Sequence, residues 1–103
     1  MSPVDTLDTL RARYLHLTCE VLPARAAEAG HWPVRHDHCF MRIVLDHVFE
    51  GAWYDHVSGR PAYRHLTADE LRRAVALAEA IEAEGADRLR PMNRQSLRWR
   101  GKG

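Results

Sequence analysis

Residues 37–57 read DHCFMRIVLDHVFEGAWYDHV. Phe40, Met41, Ile43, Val44, Leu45, Val48, Phe49, Ala52, Trp53 and Tyr54 put apolar side chains on most sides of a helix drawn through this stretch. A helix apolar nearly all round is the buried, central one of a small domain. The run Ile43-Val44-Leu45 also suits a buried strand, but the length of the segment favours a helix. The predicted helix runs from about Asp37 to Val57 and is stopped by Ser58-Gly59 and Pro61.

The flanking segments supply partners for it. Towards the N-terminus, Leu7, Leu10, Tyr14, Leu17 and Val21 recur at spacings of three and four, one apolar stripe over four turns. Ser2 is expected to cap this helix, with Pro3 at its first position and Asp5 three residues after the cap. Pro23 is expected to end or kink it, because its ring clashes with the carbonyl four residues back. A short helix over Ala24–Ala29, closed by Gly30, follows. His31-Trp32-Pro33-Val34 reads as a connector, since Pro33 biases Trp32 away from helical angles. Beyond the central segment, Thr67-Ala68-Asp69-Glu70 is a capping box. Leu71, Ala74, Val75, Ala78 and Ile81 form the stripe of the helix it opens, and Gly85 is the stop. After Pro91, Asn93–Trp99 is compatible with one or two helical turns or with extended chain. No segment alternates long enough to require a sheet. The expected fold is all-α: a compact bundle of about four helices over residues 1–90, with a basic, partly irregular segment at 91–103.

Length and composition agree. A chain of 103 residues, 46% apolar and 28% charged, has the make-up of one folded domain and not of a disordered one. No apolar run approaches the length needed to span a membrane. The first residues show no basic stretch followed by an apolar one, and two cysteines do not make a disulfide framework. A cytoplasmic location, away from membranes, is the expectation. There is no glycine-rich phosphate loop and no G-x-S-x-G elbow, which sets aside the common α/β nucleotide enzymes and hydrolases.

The net charge of +1 hides an asymmetry. All 14 acids lie in residues 1–87, whereas Arg88, Arg90, Arg94, Arg98, Arg100 and Lys102 follow with no acid among them. A basic tail on an acidic body binds phosphate or folds back onto its own protein. Arginine mixed with Trp99, Asn93, Gln95 and Ser96 suits phosphate contact plus base stacking. Arg94, Arg98, Trp99, Arg100 and Lys102 are accordingly the candidate ligand-binding residues, and the leading expectation is a small binding module for an anionic partner, nucleic acid above all. The competing structural expectation has Leu97 and Trp99 tucked against the helices while the arginines neutralise the body.

A second constellation lies on the central helix. Cys39, Arg42, Asp46 and Glu50 fall within a sector of about 80°. Arg42 and Asp46, four apart, are placed to pair, and buried charges require partners. This seam reads either as an anchor for a neighbouring helix or the tail, or as a catalytic site of Cys39, Arg42 and Asp46. Cys39 sits in the first turn, where helix amides favour a thiolate, with His36 and His38 beside it. His36 and His38, with Cys39, also offer imidazole and thiol ligands to a metal, although no recognised zinc spacing is present. The alternative functions are therefore a small enzyme or metal protein at this seam, or a structural protein that forms a homodimer through the first helix's stripe.

Overall fold

The structure, a computed structural model, describes residues 6–101. It is 77% helical, and among the described residues there is no strand. Four helical rods form the bundle. The first comprises α1 (Leu7–His16), a π-helical turn (Leu17–Val21) and α2 (Leu22–Ala29); the others are α3 (Asp37–Phe49), α4 (Ala68–Glu84) and α5 (Ala86–Trp99).

The expected cap at Ser2, Pro3 and Asp5 lies outside the described residues. Within them α1 opens at Thr6, whose backbone is extended and whose side-chain oxygen accepts the Thr9 amide at 3.2 Å. Leu10, Tyr14 and Leu17 of the predicted stripe are buried. Pro23 does not end the rod. The preceding turn widens to π geometry, with the Leu22 amide bonded to the Leu17 carbonyl, and Pro23 falls in the first turn of α2. Widening moves the carbonyls that a proline ring would strike, so the helix continues where regular α geometry would break. Gly30, at φ 75°, closes α2 as expected.

α3 is central: it packs on α4, α5, α2 and the π turn, and buries Phe40, Ile43, Val44, Leu45, Asp46 and Val48. It stops at Phe49 rather than running to Val57. Glu50 adopts the left-handed conformation (φ 53°), and the Glu50 and Gly51 amides both return to the Asp46 carbonyl. The apolar residues that follow pack through a short 3-10 turn, Trp53–Asp55, which helical periodicity does not anticipate. A second 3-10 turn, Ala62–His65, leads to α4.

The capping box opens α4 as read from sequence: Glu70 donates its amide to Thr67 Oγ1 at 3.2 Å, and the Thr67 amide reaches Glu70 Oε1 at 2.8 Å. All five stripe residues are buried. At Gly85 the chain takes φ 67°, ψ −141°, a conformation open in practice to glycine alone, and turns directly into α5. Trp32 lies against this corner and meets Phe40 edge-on at 6.1 Å.

α5 is a full helix of 14 residues, where one or two turns or extended chain were expected after Pro91. Pro91 lies inside it on the exposed side, where the missing N–H leaves no buried carbonyl contact to replace. Leu89, Met92 and Ser96 face inward, so α5 packs on α3 and α4 as the fourth rod. No helix among the described residues is long and apolar enough to cross a membrane.

Because α3 touches nearly every other element, Val48→Asp tests the architecture. An unpaired carboxylate at this buried position costs several kcal/mol, on the order of a whole domain's stability of about 5–15 kcal/mol. The expected result is loss of the helical circular dichroism signal and of a cooperative melt. A soluble variant with the parent's spectrum would place α3 at the periphery.

Candidate functional site: the α3–α5 seam, its cleft and the arginine face

Asp46 is fully buried, and its carboxylate receives four hydrogen bonds. Ser96 Oγ donates to Oδ2 at 2.6 Å, Arg100 donates through Nε to Oδ2 at 2.7 Å and through Nη2 to Oδ1 at 3.0 Å, and the Trp53 amide donates to Oδ1 at 3.0 Å. Arg42 does not pair with Asp46. Its Nη1 donates to Ser96 Oγ at 2.8 Å and its Nη2 to Asn93 Oδ1 at 2.8 Å, so α5 stands where the intrahelical pair was expected. The bond to Asp46, the largest influence, holds the Arg100 pKa above its ordinary value. The Arg100 guanidinium also lies 5.0 Å from the Tyr54 ring centre. At the same end His47 donates from Nε2 to the Met92 carbonyl at 3.0 Å and meets Trp99 edge-on at 4.9 Å.

A carboxylate has about four acceptor positions, and those of Asp46 are occupied. It offers no free lone pair to a substrate. Chemically the seam is an anchor, joining α3, α5 and the Trp53 turn through one buried charge.

The other candidates stand apart. Cys39 is half-buried in the first turn of α3, outside the Asp46 network. His36 and His38 are exposed, with their rings stacked at 5.6 Å. Among the described residues no three His, Cys, Asp or Glu side chains are grouped so as to hold a metal ion. On α5, Arg94 and Arg98 are exposed, while Trp99 and Arg100 are half-buried against the body. Lys102 lies outside the described residues. Sequence reading missed Ser96 and Asn93 as partners of the seam. The signal for Ser96 was its register with Leu89 and Met92, which marks a hydroxyl on a buried stripe.

Beside the seam is a cleft of about 490 Å³. Tyr14 of α1, Met41, Arg42 and Leu45 of α3, and Trp53, Arg60 and Tyr63 of the connecting turns contribute its walls. Tyr14 is buried and its hydroxyl has no hydrogen-bond partner among the described residues. Burial, chiefly, and the nearby Cys19 push its pKa far above the ordinary 10, so the phenol stays neutral.

Compared with known protein families, curated proteins and solved structures, the chain matches none.

Two variants test this assignment. Asp46→Ala leaves Arg100 without its buried counter-charge and should cost about 3–5 kcal/mol in denaturant unfolding. A loss below 1 kcal/mol would mean the seam is dispensable. Tyr14→Phe removes an unpaired hydroxyl, and stability at neutral pH should hold or rise. A raised folded-state pKa means the folded protein keeps the phenolic proton after the unfolded chain has lost it. Tyr14's contribution is therefore fully present below pH 10 and falls as pH rises above it, by about 1.4 kcal/mol per pH unit. The variant should show a shallower alkaline loss than the parent, and identical curves would refute the buried neutral phenol.

Proposed function

We propose that this chain is a helical binding module for a polyanion, nucleic acid, which it contacts through the outer face of α5. The observation that carries this reading is the pair Arg94 and Arg98: both are exposed, one helical turn apart, and neither has an ion pair or hydrogen bond among the described residues. Arg90 continues the row one turn earlier, where its contacts are Asp87 at 4.0 Å and the His31 carbonyl at 3.4 Å. At 1.5 Å rise per residue, the three guanidiniums span about 12 Å, a length that reaches successive phosphates of one strand. The row stands on a helix fixed to the body by the Asp46 network, so little ordering is required when phosphate arrives. The rest of the chain carries a net negative charge and repels a polyanion, which confines contact to this face.

Arg100 and Trp99, engaged with Asp46 and His47, serve here to dock α5 rather than to touch the ligand. Phosphate contacts made by Arg94 and Arg98 imply affinity that falls with salt. Fluorescence anisotropy with labelled single-stranded and duplex oligonucleotides, from low to physiological salt, should give a linear log–log dependence. Arg94→Gln with Arg98→Gln should flatten its slope by about 0.7 per lost contact for single strands and about 0.9 for duplex. Absence of binding at low salt, or a slope that the double variant leaves unchanged, would refute the proposal.

A further inference from the structure

The cleft beside the seam is separate from the arginine face of α5, and its chemistry is specific. We infer that it is a binding site for a small aromatic carboxylate, whose ring lies among Tyr14, Trp53 and Tyr63 and whose charge is met by Arg42 and Arg60. Two observations lead there.

The first is size and lining. About 490 Å³ is within the range of small-molecule sites, roughly 300–1,000 Å³, and the walls combine three aromatic rings with Met41 and Leu45. Flat apolar groups find both area and ring-to-ring contact on such walls.

The second is charge. Arg42 and Arg60 line the cleft, and no Asp or Glu does. His38 is also in the wall and contacts Asp37, itself outside the lining, at 3.5 Å. Arg60 is exposed, with its guanidinium 5.5 Å from the Trp53 ring centre. Arg42 is half-buried, and its bonds to Ser96 and Asn93 orient the guanidinium while using only two of its five N–H groups. A planar, pre-oriented guanidinium suits a carboxylate, which accepts two parallel N–H bonds. A cationic ligand would meet two like charges with no counter-charge from the lining.

Titration calorimetry on the full chain tests this with three matched probes: naphthalene-2-carboxylate, naphthalene-2-carboxamide and 2-naphthylmethylamine as its ammonium ion. The carboxylate should bind at least tenfold more tightly than the amide, and the ammonium compound should not bind measurably. Arg60→Gln, an exposed change at a side chain that makes no bond to Asp46, should reduce the preference for carboxylate over amide several-fold without lowering the melting temperature. Arg94→Gln with Arg98→Gln should leave carboxylate binding unchanged, which separates this site from the face of α5. Equal binding of the three probes, no binding of the carboxylate, or an Arg60→Gln protein that keeps the preference undiminished would each overturn the assignment.

Discussion

A carboxylate with no water around it, Asp46 on the central helix, is the constraint from which most of this structure can be reconstructed. Burying an isolated carboxylate costs several kcal/mol even after relaxation, so the chain must bring donors to it. Three arrive from different places: the Trp53 amide from the loop after α3, the Ser96 hydroxyl from the middle of α5, and the Arg100 guanidinium from its end. Each donor explains a local feature. The loop turns back at Glu50 and Gly51 in the geometry that presents the Trp53 amide. α5 stays helical through Pro91 as far as Trp99, and so carries Ser96 and Arg100 to the same carboxylate. An apolar residue at position 46 would supply comparable burial but would not select this placement of loop and helix.

The same network sets the relation between the two candidate binding surfaces. Arg42 reaches α5 with two nitrogens and also lines the cleft, so one guanidinium belongs to the anchor and to the cavity wall. Trp53 does likewise: its amide serves Asp46 while its ring faces the cleft and lies near Arg60. The cleft is thus framed by groups whose backbones are already fixed, the condition under which a small site keeps its shape when empty. On the opposite side of α5 the network leaves Arg94 and Arg98 in water, because a helix fixed by Ser96 and Arg100 cannot turn those residues inward.

How much of this was legible depended on the range over which each signal acts. The capping box at Thr67–Glu70, the stripe of α4 and the stops at Gly30 and Gly85 act within a few residues, and the structure has them where the sequence placed them. The central helix was legible as buried, but its end was not. Ala52, Trp53 and Tyr54 extend the apolar run, and nothing local says that Glu50 will adopt a positive φ. At Pro23 the sequence left an end or a kink open, and the structure excludes the end: a wide turn before it is one of several ways to accommodate the ring. The inner face of α5 joins Leu89 and Met92 to Ser96, and a serine in that register looks like loop until its acidic partner 50 residues away is known. The polar seam of α3 was visible as a sector of residues, and the need of its charges for partners was visible too. Which partners they take is a tertiary fact. The cleft was not legible at all, because its walls come from α1, α3 and two short turns far apart in sequence.

Polar groups in this protein divide by whether their bonding capacity is used. Asp46 has its acceptors filled, Ser96 both donates and accepts, and Arg100 is held by both faces of its task, carboxylate and tyrosine ring. Residues of that kind hold a fold together, and their chemistry is spent within it. The remaining N–H groups of Arg42 and the guanidiniums of Arg94 and Arg98 are different: they retain donors that the described residues do not use. A guanidinium only donates. A fold that saturates its buried acid and leaves guanidinium donors unused at a cleft and along a helix face is the physical basis on which both surfaces are proposed to take oxygen-bearing anions, small in the one place and extended in the other, rather than cations or neutral ligands.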